Sequence, residues 1–228
     1  MTVRLMAALT LGAGLSLSSA SAQAQEPGEV DRVVVRFSAP ETGNVRAPRF
    51  IFERSLAFEA RLEALADPDH SASDERPYRE RHVRAALERH VAETLLSALR
   101  IDPEPTAKDL SRQTEAARRI LYQRSGSRMA VERAAQAEGM ADRELLRLLR
   151  RRARASLYLD RMVAPMLAPS RAELLVLHKT ADTPFRSLSF EKAEAPLARW
   201  YVARRLNEAL SNFFLNARSR LEITIIPP

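Results

Sequence analysis

The chain of 228 residues contains no cysteine. That absence excludes disulfide frameworks, zinc–thiolate sites, iron–sulfur clusters, thiol nucleophiles and the lipid-modified cysteine of bacterial lipoproteins. Glycine is scarce, six in all, and neither GxGxxG nor GxxxxGK(S/T) occurs, so the phosphate cradles of nucleotide-binding folds are not expected. Lysine is confined to Lys108, Lys179 and Lys192, which makes nearly all of the positive charge arginine. Apart from an apolar run at the N-terminus, no stretch is long and uncharged enough to be read as a membrane span, which takes about 20 residues. With 46% apolar and 29% charged residues, what remains is the composition of a helical globular protein with no cofactor.

The net charge is +7 and the isoelectric point near 10.4. Interspersed acidic residues make solvated helix faces the simpler account of the arginines. The sharper account is guanidinium pairing with carboxylates or phosphates. The chain opens with Met1 to Arg4, a short positive start, followed by the apolar run Leu5 to Leu17 and by SSASAQAQ, which offers A-x-A cleavage sites ending at Ala22 or Ala24. This three-part pattern predicts a signal peptide over residues 1–24 and export to a bacterial periplasm. A periplasm holds no ATP and little free nucleic acid. A basic surface there is expected to meet acidic proteins, peptidoglycan or an anionic membrane surface, and nucleic acid is not an expected partner.

Residues 25–228 read as one domain. Val30 to Phe37 (VDRVVVRF) predicts a strand, Ala39 to Pro48 a turn, and Phe50 to Ala66 a helix. Residues 67–77 (DPDHSASDERP), polar and bounded by prolines, predict a mobile loop. Tyr78 to Leu99 carries an apolar stripe at Val83, Leu87, Val91, Leu95 and Leu99. Thr106 with Asp109, and Ser170 with Glu173, have the spacing of capping boxes, and Gly126 and Gly139 are placed to end helices. Asp142 is expected to cap a long helix from Arg143 to about Val163, whose buried line is Leu145, Leu149, Ala153 and Leu157. The final helix is expected from about Ser189 to Ser219, with Pro196 in its opening turns, and Leu221 to Ile226 (LEITII) predicts a strand. Unpaired strands are a liability, so the two terminal strands are expected to pair with each other. The fold class is mainly α, with a small sheet joining the chain's two ends.

Catalytic signatures are lacking. There is no GxSxG, HExxH or HxxxH. His82 and His90 are eight residues apart, about 12 Å along a helix, too far to share a metal. All four histidines (His70, His82, His90 and His178) are expected on solvated faces. Asp67, Asp69, Ser71 and Ser73 imitate the first alternating positions of a calcium loop, but Ala72 and Tyr78 stand where glycine and glutamate are needed. Two features remain. Arg147 to Arg154 (RLLRRRAR) reads either as a cationic patch or as a solvated helix back whose arginine stems cover the core edge. Met129, Met140, Met162 and Met166 read either as core fillers or as an adaptable binding surface.

In the order of its elements the chain resembles the chaperone core of SurA-type periplasmic folding factors. The segments that carry the likeness are VDRVVVRF, RHVRAALERHVAETLLSALRI, PTAKDLSRQTEAARRI, AAQAEGMADRELLRLLRRRARASLYLDRMV and SFEKAEAPLARWYVARRLNEALSNFFLNARSRLEITII. In that family a parvulin isomerase domain is inserted between the long helix and the closing helix. Here about 25 residues, 164–188, separate them, whereas an independent domain needs at least ~50. The resemblance implies an ATP-independent chaperone for unfolded or nascent envelope proteins, outer-membrane proteins among them, with no isomerase activity, no catalytic residue and no metal. Apolar character and position assign client contact to Met129, Met140, Met162, Met166 and Leu167, with Arg150 and Arg151 as a cationic rim, in a groove expected between the long helix and the closing helix. The rival readings are a non-catalytic adaptor for one folded envelope partner and a degenerate member of the isomerase family.

Overall fold

Strand β1 (Val33–Ser38) lies at the centre of a three-stranded antiparallel sheet, between β2 (Arg49–Phe52) and β3 (Glu222–Ile225). The structure is a computed structural model that describes residues 31–70 and 77–227; the expected signal peptide falls outside that range. Among the described residues seven α-helices complete the fold: α1 (Glu53–Leu65), α2 (Glu80–Ala98), α3 (Ala107–Arg124), α4 (Arg128–Ala137), α5 (Asp142–Tyr158), α6 (Arg171–Thr180) and α7 (Phe190–Arg218). The protein is mainly α with a small antiparallel sheet. No helix among the described residues is long and apolar enough to cross a membrane.

The two ends of the chain pair. Val35 faces Ile225 and Phe37 faces Ile223, and the Ile226 amide donates to the Val34 carbonyl at 2.9 Å. On the other side of β1, Val35 faces Ile51 and Phe37 faces Arg49, with a bulge between Val33 and Val35. The Arg49–Phe52 strand corrects the expected helix start at Phe50. Phe50, Ile51 and Phe52 form an apolar run that suits either period. Pairing with β1 selects the extended form, in which Ile51 is buried and Phe50 and Phe52 are exposed. The connection from β1 to β2 contains two short 3-10 turns, Pro40–Thr42 and Asn44–Arg46, joined at Gly43, whose φ of +98° favours a residue without a Cβ.

Two apolar clusters build the interior. Under the sheet, Val35, Phe37, Ala39 and Ile51 pack on Val91 and Leu95 of α2, with Phe213 and Leu221 from the chain's end against them. Between the helices, Phe58 and Leu62 of α1 meet Leu121 of α3, Val131 and Ala134 of α4, and Leu148 and Leu149 of α5. Thr106 and Asp109 form the expected capping box of α3, as do Ser170 and Glu173 for α6. Helix α5 begins one residue early: the Ala141 amide donates to Glu144, and Asp142 occupies the first helical position. It also ends sooner than the expected Val163, passing into a π-turn (Leu159–Val163) and a 3-10 turn (Ala164–Leu167). Residues 164–188 hold that 3-10 turn, α6 and a run of turns.

Candidate functional site

Three helices converge on a buried carboxylate. Glu59 of α1 is only 1% exposed. Its Oε1 accepts from Nδ1 of His90 on α2 at 2.8 Å and from Nη2 of Arg151 on α5 at 2.9 Å. Arg151 also reaches Glu93 Oε2 at 3.3 Å, and Arg152 Nε donates to Glu93 Oε1 at 3.0 Å. Two carboxylates thus meet two guanidinium groups, and the four charges cancel. Arg151 Nη1 lies 3.3 Å from His90 Nε2, and arginine can only donate, so Nε2 is the accepting nitrogen there and Nδ1 the donor to Glu59. Burial alone would raise the Glu59 pKa. The Arg151 charge, the His90 hydrogen bond and the Arg152 charge together outweigh it and hold the carboxyl well below the usual carboxylate range. Burial likewise opposes the charge on Arg151, and Glu59 and Glu93 reverse that effect. A carboxylate sealed and ionised in this way clamps α1, α2 and α5 together; it is not placed to exchange protons with an external substrate.

The second histidine of α2 is also internal, which corrects the expectation of solvated histidine faces. His82 Nδ1 accepts from the Arg79 backbone amide at 3.0 Å, closing the first turn of α2, and Nε2 lies 2.9 Å from Asp67 Oδ2. Hydrogen bonding from His82 is the main cause of an Asp67 pKa lowered to about 2, and Arg81 adds an ion pair. His82, Ala86 and His90 recur every fourth residue and share one inward face of α2. The described ends of the 67–77 segment are therefore tied down: Asp67 to His82, and His70 Nε2 to the Pro77 carbonyl at 3.3 Å. Residues 71–76, including two of the calcium-loop positions, lie outside the described residues.

The arginine cluster of α5 divides in two. Arg147 and Arg150 are exposed, whereas Arg151 and Arg152 belong to the internal network, and Arg154 donates to the Ser97 carbonyl at 2.8 Å and to Glu104 at 2.7 Å. Arg151 is consequently an interior ion-pair partner, not part of a cationic rim, because the buried Glu59 holds its guanidinium. Of the methionines, Met129 (66%) and Met166 (75%) are exposed. Met140 packs against the helical core, and Met162 and Leu167 are half-buried. They do not gather on one element. Met129 lies on α4, which packs on α1 and α3, and Met166 and Leu167 lie on the turn that packs on α7.

Two surface depressions stand out among the described residues. One, of about 170 Å³, is lined by α2, α3 and α5, including Glu93, Gln113, Arg152 and Ser156. Gln113 donates to the Ser156 hydroxyl at 2.8 Å, and burial, partly offset by Ser156, raises the pKa of the neighbouring Asp160. The other, of about 260 Å³, lies between β2 and α2, with Phe37 of β1 in its lining. It is lined by Phe37, Pro48, Arg49, Phe50, Phe52, His90 and Thr94. Neither includes a residue of α7, where the sequence had suggested a groove. The second depression was hidden from sequence reasoning by the helical reading of residues 50–52, although the aromatic alternation in Arg49–Phe52 was its available signal. Among the described residues there is no group of three or more acidic or histidine side chains fit to hold a metal ion. Comparison with protein-family models, with curated proteins and with solved structures finds no match to this chain.

Proposed function

We propose that the chain is an ATP-independent holding chaperone of the bacterial periplasm, a SurA-type core without an isomerase module, that binds unfolded envelope proteins. The observation that carries this reading is the exposure of large apolar side chains at both edges of the sheet. Phe50 (48% exposed), Phe52, Ile223 and Ile225 (72%) stand exposed on its two edge strands. Large apolar side chains exposed on unpaired strand edges are an aggregation hazard unless the edges are used. One apolar cluster supports the sheet from α2, and a second, with the clamp around Glu59, joins the helices. The pairing of the chain's two ends and the short 164–188 connection support the resemblance to the SurA core and the absence of isomerase activity.

The test is dilution of a urea-unfolded outer-membrane β-barrel protein into buffer with increasing amounts of the mature chain, followed by light scattering. Suppression at near-stoichiometric ratios is the expected result, and no effect over a wide range of ratios would refute the reading. Protection of one folded partner alone, in a complex of fixed stoichiometry, would favour the adaptor. Faster X-Pro isomerisation in a short peptide would restore the isomerase.

A further inference from the structure

Resting on that reading, we infer that clients are captured by strand addition: one extended segment of unfolded polypeptide, with apolar residues alternating with acidic ones, pairs with the free edge of β2 and lies in the depression between β2 and α2. Among the described residues strand β2 has a single neighbour, β1, so the backbone amides and carbonyls on its other side face away from the sheet. Its four residues seat about 13 Å of extended chain. Backbone pairing of this kind is tolerant of sequence, which suits a holder of diverse unfolded chains, while alternate side chains supply selectivity.

The adjoining depression fixes what those side chains are. At about 260 Å³ it is smaller than the ~300–1,000 Å³ of small-molecule pockets, and takes one or two side chains rather than a cofactor. Its wall on α2 is preset and satisfied: His90 is held by Glu59 and Arg151, and the Thr94 hydroxyl donates to the His90 carbonyl at 2.8 Å. Phe37, Phe50 and Phe52 supply its aromatic lining. The one lining cation without an ion-pair partner among the described residues is Arg49. Arg46, three residues before it, and Arg36, directly opposite Phe50, are unpaired in the same sense. Three free guanidinium groups around an apolar edge call for carboxylates in the incoming strand. A second copy of the chain meets this demand poorly, since it brings the same cations to the same short edge.

The probe is a fluorescein-labelled ten-residue peptide of alternating valine and glutamate, titrated onto the mature chain and followed by anisotropy, with backbone amide shifts recorded for residues 49–52. Saturable binding with shifts centred on those residues is expected. Methylating alternate backbone nitrogens of the peptide keeps its side chains but removes strand pairing, and should abolish binding. Replacing glutamate by lysine should weaken binding about tenfold or more, and Arg49→Glu, an exposed position, should shrink that preference. Equal binding of the methylated peptide, shifts confined to other elements, or a β2-dependent dimer in sedimentation would each overturn the inference. Failure of client holding with peptide binding intact would instead overturn the chaperone reading and leave the edge site standing. Holding that is indifferent to Arg49→Glu would do the reverse.

Discussion

Val35 and Ile225 lie directly opposite each other in the sheet although 190 positions separate them in the sequence. The last strand thereby covers one edge of β1, whose Val35 and Phe37 are buried in the cluster beneath the sheet. Because β3 is itself exposed, it contributes chiefly through pairing and through screening β1 from solvent.

Ending the chain after Arg220 should therefore destabilise the domain without unfolding it. Four cross-strand pairs are lost, together worth roughly 1–3 kcal/mol. It should also leave β1 as an open apolar edge, so self-association should rise. Urea titration gives the first quantity, and static light scattering against concentration gives the second. Unchanged stability would mean that β3 is an ornament on the sheet.

The charge arithmetic at Glu59 makes a sharper prediction. Glu59→Ala leaves Arg151 and Arg152 facing Glu93 alone, one buried cation uncompensated, and should cost about 3–5 kcal/mol. The double variant Glu59→Leu with Arg151→Met removes one charge of each sign and leaves Glu93 and Arg152 balanced. It should be more stable than Glu59→Ala, with a coupling of about 1–3 kcal/mol between the two positions. A double-mutant cycle by urea denaturation reads both. Additive losses would show that the clamp acts through packing rather than charge.

Acid should loosen the same clamp. The folded Glu59 carboxyl is held well below its ordinary value of about 4.5, and Asp67 is held at about 2 against 3.8. Below those ordinary values the unfolded chain takes up protons that the folded chain refuses. Stability is therefore complete above about pH 5 and declines as pH falls through the carboxylate range. Urea midpoints between pH 7 and pH 2.5 should fall steadily for the wild type. Relative to its own value at pH 7, Glu59→Gln should decline less. An identical slope in the variant would remove Glu59 from the account.

Much of the helical frame was legible because its signals are local. Caps such as Thr106 and Ser170, the terminators Gly126 and Gly139, and the stripe through Val91 and Leu95 depend on neighbours within a few residues. Residues 50–52 were misread because a run of three apolar side chains is too short to fix a period, and the partner strand decides between helix and extended chain. The clamp was missed for a related reason. Periodicity treats glutamate, histidine and arginine as outward-facing, whereas Glu59, His90 and Arg151 are drawn inward by one another from three helices. The every-fourth-residue spacing of His82, Ala86 and His90 was the one local hint, since a small residue between two polar ones marks a close-packed face.

Two phenylalanines eight residues apart separate stability from binding. Phe58 is fully buried among Leu62, Val131 and Leu149, and Phe58→Ala should leave a cavity and cost about 3–5 kcal/mol. Phe50 is nearly half exposed on the edge strand, so Phe50→Ala should change stability by less than about 1 kcal/mol. The combined variant Phe50→Ala with Phe52→Ala should nevertheless lose most of the protection of an unfolded outer-membrane protein, because it strips the aromatic wall from the edge while leaving the helical support intact. Thermal melts and the scattering assay on the same samples make the comparison. Full protection by the doubly truncated edge would place the holding surface elsewhere on the molecule, with exposed Met129 and Met166 the next positions to change.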